Sequence, residues 1–231
     1  MTSPLALSPS AQRETRSFGE EAQPLLVVED ALPDLALVRS IAARHSYQPI
    51  GPFYPGVRAA VSANIAMPLV HPLLPEMRDL FGLAREPDYF ECYLSLVTQA
   101  PSELDPIQRL PHFDGVEPER IAVLLFLSGD EAGGTAFYRQ NATGFESVHA
   151  ARYDLYRAEL EAATARHGLP EAGYIGEDSP LFTRTLRVEG RAGRMIAYRG
   201  NTLHCAAMPA RFVPDADPAR GRLTLNLFLK A

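Results

Sequence analysis

Residues 222–229 read RLTLNLFL. Leu223, Leu225, Leu227 and Leu229 take every second position, and Arg222, Thr224, Asn226 and Phe228 take the positions between. Side chains of a strand leave alternate faces, so one face is aliphatic and the other chemically varied. Working outward, Phe90–Thr98, Ile121–Ser128, Thr135–Arg139, Leu181–Val188 and Met195–Tyr198 are also short and β-favouring, and Gly, Pro, Asp and Asn separate them. Short strands in that number predict a jelly roll or barrel.

One segment breaks the β texture. Ala151–His167 (ARYDLYRAELEAATARH) has no proline or glycine, is rich in helix formers and is followed at once by Gly168. It reads as a helix inserted between strands, which either flanks the active-site mouth or packs on the outer sheet through Leu155, Tyr156 and Leu160. Upstream, Leu25–Val28 is a strand-type run. Leu35, Val38, Ile41 and Ala42 then carry the spacing of an amphipathic helix starting near Asp34. Prolines and glycines make 49–56 turn-rich, and a short helix is expected over Pro75–Phe81. Residues 1–23, rich in Ser, Pro, Thr and Glu without apolar periodicity, read as a flexible arm. The expected organisation is one domain over 24–231, with helical support over 24–89, a barrel core over 90–231 and the insert at 151–167.

Composition narrows the functional classes. The chain has 231 residues, 46% of them hydrophobic and 22% charged, which is globular usage. A net charge of −6 disfavours a nucleic-acid partner, which needs a basic face. No window approaches the ~18 apolar residues of a membrane span, and the first residues lack a basic start, so a cytoplasmic location is expected. Of the 22 basic residues only Lys230 is a lysine. That position is a poor Schiff-base candidate, and a GxxxxGK[ST] phosphate loop is absent from the sequence. Cys92 and Cys205 show no CxxC spacing and read as small buried hydrophobes. Ser102, Ser128 and Ser147 lack a GxSxG context.

Among six histidines, His45, His71, His149 and His167 suit helix ends and loops. His112 lies in RLPHFDG, two residues before Asp114, a spacing that sends both side chains from one face of a strand. A third ligand joining such a pair would complete a 2-His-1-carboxylate triad, which holds Fe(II) and leaves positions open. His204, in RMIAYRGNTLHC, follows a short strand and a Gly-Asn turn. Arg222 and Thr224 share one face of the last strand, and an arginine fork with a hydroxyl suits a buried carboxylate. GGTAFYR, 133–139, follows the apolar strand after HFD.

HxD, an apolar strand, GGTxF, a distant histidine and GRxT opening the last strand together resemble the iron(II)/2-oxoglutarate-dependent oxygenases, in particular the prolyl-4-hydroxylase-like group. The resemblance covers about residues 90–229. It implies an α+β, mainly β fold, a double-stranded β-helix (jelly roll, cupin-like) with N-terminal supporting helices and one inserted helix. It implies that His112, Asp114 and His204 hold Fe(II), and that Arg222 and Thr224 bind the distal carboxylate of 2-oxoglutarate. Tyr93 is the candidate for a tyrosine that touches this cosubstrate. Two departures stand out. Many prolyl hydroxylase-like members carry lysine at the position of Arg222, and the turn RFVPDADPARG lengthens the gap after His204.

The function so implied is a dioxygenase that consumes O₂ and 2-oxoglutarate, releases succinate and CO₂, and hydroxylates a small molecule, amino acid or peptide. A carboxylate ligand stands where halogenating relatives place chloride, which favours hydroxylation or desaturation. Two alternatives remain: a cupin-like metalloenzyme not using 2-oxoglutarate, which leaves Arg222 and Thr224 unexplained, and a binding module on the same fold.

Overall fold

The computed structural model describes residues 3–51, 53–129 and 133–231; Met1 and Thr2 of the expected arm and Pro52 of the turn-rich stretch lie outside them. The elements in chain order are β1 (Gln12–Phe18), β2 (Gln23–Glu29), α1 (Leu35–Ala42), β3 (Gly56–Ala60), α2 (Ala63–Ala66), α3 (Leu74–Leu80), β4 (Asp88–Val97), β5 (Arg120–Phe126), β6 (Gly134–Gln140), α4 (Ala150–His167), β7 (Phe182–Val188), β8 (Met195–Arg199), β9 (His204–Ala207) and β10 (Leu223–Lys230). One sheet runs β1-β2-β8-β5-β10-β4-β3 and a smaller one runs β7-β6-β9. From β4 onward the chain passes back and forth between the sheets. β4, β5, β8 and β10 lie in the large sheet; β6, β7 and β9 lie in the small one, extended by a single bridge from His112 to His204. This alternation is that of the expected double-stranded β-helix.

The period-two pattern of β10 decides which residues meet the site. Leu223, Leu225, Leu227 and Leu229 are buried on the outer face of the large sheet, against Val38 and Ala42 of α1 and Leu73, Met77 and Phe81 around α3. Full burial of one such leucine contributes roughly 2 kcal/mol, so this face fixes the strand's register. α1 starts where Asp34 accepts a hydrogen bond from the Leu37 N–H, an ordinary N-cap. The opposite face of β10 looks between the sheets, where Phe228 packs with Leu124, Phe126, Phe137, Ile196 and Tyr198.

Two strands depart from expectation. The segment read as a flexible arm contains β1, paired residue for residue with β2. Six of its seven residues are exposed, so the strand carries no apolar period to read. Its charged Arg13, Glu14 and Arg16 suit an edge that must stay in water. β3 follows the turn-rich stretch, and the proline density there masks a strand of only five residues.

α4 answers the question of the inserted helix. Tyr156 and Ala163 are buried with Ala136, Tyr138, Leu203 and Cys205 on the outer face of the small sheet, while Leu155 is exposed. It is a packing helix. Replacing 152–166 by a Gly/Ser linker would open this cluster, so we expect insoluble or strongly destabilised protein, read by thermal unfolding. A variant that unfolds at the parent's temperature would contradict that.

Candidate active site

β9 places His204 on the inner face of the small sheet, since Leu203, Cys205 and Ala207 face outward. His112 and His204 exchange both backbone hydrogen bonds at 2.8 Å, which sets their rings 4.4 Å apart. His112 is a lone bridge residue rather than part of a strand, because Pro111 precedes it and Gly115 and Pro118 follow soon after. Two residues on, the Asp114 N–H donates to the Gly200 carbonyl and brings the carboxylate under both rings. His112 Nε2 lies 3.9 Å from Asp114 Oδ1, and His204 Nε2 lies 3.6 Å from Asp114 Oδ2. One ligand atom from each residue falls within 4.8 Å of the others, the one such group found among the described residues.

Each donor is prepared for a cation. His204 Nδ1 lies 2.8 Å from the Thr202 carbonyl, which can only accept, so Nδ1 carries the proton and Nε2 offers its lone pair. Asp114 Oδ2 is buried without a hydrogen-bond partner. Desolvation raises the Asp114 pKa, opposed by His204, Arg120 and Arg58. Desolvation, then repulsion from His204 and Arg58, holds His112 well below its usual value, which keeps the ring neutral and able to ligate. The side chain of His204 is 7% exposed and that of Asp114 14%, whereas His112 is 56% exposed, so the site opens on the His112 side. Two imidazoles and a carboxylate on three sides, with one side open, fit a catalytic divalent metal.

The facing wall belongs to the large sheet. Across it, Arg58, Ser95, Thr224 and Phe126 form one row, and Tyr93, Asn226, Leu124 and Ile196 form the next. Arg222 is 6% exposed; its Nη2 donates to the Gly134 carbonyl at 2.9 Å, and its Nε has no partner. Gly134 is required by the close approach of β7: a Cβ there would fall 2.0 Å from the Val188 carbonyl. Burial lowers the pKa of Arg222, while Tyr54, Tyr174, Cys205 and Tyr198 raise it. No carboxylate pairs with it among the described residues, so a buried cation stands uncompensated, an arrangement that a bound anion would relieve. Ser95 Oγ and Tyr54 Oη are also buried, close to each other and with no further partner among the described residues. Buried polar groups nearly always find a partner, so several orphans on one wall mark a place shaped for a polar ligand.

Not every sequence candidate reaches this wall as expected. Thr224 lies on it, but its hydroxyl donates to Asn226 Oδ1 at 2.7 Å, and turning the amide over would free that proton for a carboxylate. Tyr93 lies on the same face, yet its hydroxyl donates to Glu91 Oε2 and it is not among the groups around Arg222. The structure brings Tyr54 there instead, from the proline-rich segment that gives no strand signal. Tyr138 faces outward and donates to the Ile175 carbonyl, and Arg139 pairs with Glu20, so both lie away from the triad. Burial pushes the Cys92 and Cys205 thiols up to about 12, which suits inert core residues.

With the site defined, its relatives can be compared. A family model described as "Family of unknown function (DUF6445)" matches residues 9–229. The chain belongs to that family. No curated protein matches this DUF6445 chain in sequence. Among solved structures it is similar to HygX from Streptomyces hygroscopicus with nickel and 2-oxoglutarate bound. They share 14% identity over 91% of this chain and 84% of HygX, with a TM-score of 0.51. HygX with nickel, 2-oxoglutarate and hygromycin B bound gives 12% identity, the same coverage and a TM-score of 0.51. A Pseudomonas putida prolyl-4-hydroxylase gives 14% identity over 91% and 94% of the two chains, with a TM-score of 0.46. At such identities the likeness to HygX is one of fold: this DUF6445 protein is a jelly roll of the same architecture.

Proposed function

We propose that this protein is an Fe(II)- and 2-oxoglutarate-dependent oxygenase, most simply a hydroxylase of a small molecule, amino acid or peptide. One observation carries the proposal. A His-Asp-His triad with a buried, orphaned carboxylate oxygen faces a wall that holds a buried arginine without a counter-ion among the described residues. The fold shared with HygX, which was crystallised with nickel and 2-oxoglutarate, supports the same reading. His112, Asp114 and His204 would hold the metal, with the Thr202 carbonyl fixing the His204 tautomer. Arg222 would anchor the distal carboxylate of 2-oxoglutarate, helped by Thr224 once its proton is free and by the Tyr54 and Ser95 hydroxyls. Leu124, Ile196, Phe137 and Phe228 wall the space between with apolar surface and exclude water.

Bound there, Fe(II) with 2-oxoglutarate and O₂ supplies oxidative decarboxylation to succinate and CO₂, coupled to oxidation of a substrate C–H bond. Asp114 as a ligand favours hydroxylation or desaturation over halogenation. No helix among the described residues is long and apolar enough to cross a membrane. A cytoplasmic enzyme acting without nucleic acid or membrane partners is the simplest placement. The test is an anaerobic titration of the Fe(II)-loaded protein with 2-oxoglutarate, followed by visible absorption. A weak metal-to-ligand charge-transfer band that saturates at one equivalent is expected. Iron binding with no such band would favour a cupin-like metalloenzyme, and binding of neither would favour a binding module.

A further inference from the structure

Arg58 stands beside the site without any assigned task. It lies on β3 in register with Ser95, two strands from Thr224 along the same row, on the edge of the sheet where the wall ends. Its guanidinium carbon sits 4.0 Å from the Tyr54 ring centre and 5.2 Å from that of Tyr93, clasped by two aromatic rings. Its Nε is buried without a partner, and among the described residues its guanidinium makes no hydrogen bond and no ion pair. Glu91, the carboxylate closest along β4, takes the Tyr93 hydroxyl instead.

An arginine held rigidly by ring stacking, stripped of water on one nitrogen and given no carboxylate is a preorganised anion receptor. The cosubstrate does not need it: Arg222 answers one carboxylate, and the keto-acid end belongs to the metal. We infer that Arg58 receives an anionic group, a carboxylate, of the primary substrate and so orients that substrate beside the metal ligands. The segment that carries Tyr54 up to β3 also exposes apolar surface. Phe53 is 67% exposed and Ile107 52%, and the Gln108 side chain joins their two segments by donating to the Phe53 carbonyl. The substrate class is therefore an acid with an aromatic or aliphatic portion. This inference rests on the proposed function, whose failure can be told apart from its own.

The experiment compares phenylacetate with phenylacetamide by calorimetry on protein saturated anaerobically with Fe(II) and 2-oxoglutarate. The parent should prefer the acid by about tenfold or more, the size of one charge-assisted hydrogen bond. Arg58→Gln should erase that preference while leaving 2-oxoglutarate affinity within about twofold of the parent. Arg58→Lys, which keeps the charge and guards against a folding defect, should retain the preference with weaker binding. A parent that does not discriminate, or an Arg58→Gln variant that still does, overturns the inference. So does loss of 2-oxoglutarate affinity in Arg58→Gln, because the guanidinium would then serve the cosubstrate. If the parent shows no charge-transfer band, the proposed function fails, and the acid-amide comparison on metal-free protein still decides the role of Arg58.

Discussion

Protein carrying alanine at His112, Asp114 and His204 together will fold and will hold no stoichiometric iron by elemental analysis. The substitutions leave the fold alone because the bridge between residues 112 and 204 is made by backbone atoms. They also remove a source of instability. An unpartnered buried polar atom such as Asp114 Oδ2 costs about 1–3 kcal/mol. Loss of the buried His204 ring, which packs on Phe137 and Tyr198, works in the opposite direction, so the metal-free variant should unfold near the temperature of the metal-free parent. Fe(II) under anaerobic conditions should behave oppositely. A ligand at a hundred times its dissociation constant stabilises the folded state by about 2.7 kcal/mol, which for a chain of this size raises the melting temperature by roughly 5–10 °C. That rise is expected in the parent and not in the variant. Full iron retention in the triple variant would place the metal elsewhere, and a large loss of stability would make the three residues structural.

The pair His112 and Asp114 is legible in the sequence because side chains two residues apart leave the same face of an extended segment, and the proline and glycine around them disfavour a helix. What cannot be read there is that a single bridge suffices: Pro111 and Pro118 remove donors, and the backbone of β9 supplies the register. Arg222 and Thr224 are legible for a different reason. The four leucines between and beyond them fix which face of β10 is outer, so the polar set has to point inward. Tyr54 escapes notice, and Arg58 after its Pro-Gly turn reads more readily as an exposed arginine than as one at the mouth, because β3 lies at the sheet edge and is short and alanine-rich, with prolines before it. Only its pairing with β4 brings Arg58 beside Ser95. β1 escapes because an edge strand with both faces in water has no reason to alternate. Strand position in the sheet, which no local pattern encodes, accounts for these omissions.

Arg222→Ala should weaken 2-oxoglutarate binding by roughly two decades or more, because it removes the buried guanidinium proposed to grip the distal carboxylate. The geometry sharpens the expectation. One guanidinium nitrogen is already held by the Gly134 carbonyl, so the fork is aimed before any ligand arrives and little orientational freedom remains to be lost. Lysine could keep the charge but could not bond the Gly134 carbonyl and grip a carboxylate with two nitrogens in one plane. Arg222→Lys should recover only part of the lost affinity. The metal-free variant offers an independent sign. Arg222 is buried with no ion-pair partner among the described residues, so neutralising it should leave the unbound protein no less stable than lost packing alone would predict. Titration of each variant with 2-oxoglutarate, followed by the charge-transfer band and by thermal unfolding, measures both quantities. If Arg222→Ala binds 2-oxoglutarate within about threefold of the parent, less than one charge-assisted hydrogen bond would change it, the distal carboxylate lies elsewhere. Arg58, partly buried on this wall with an unpartnered Nε, would then be the guanidinium placed to take it.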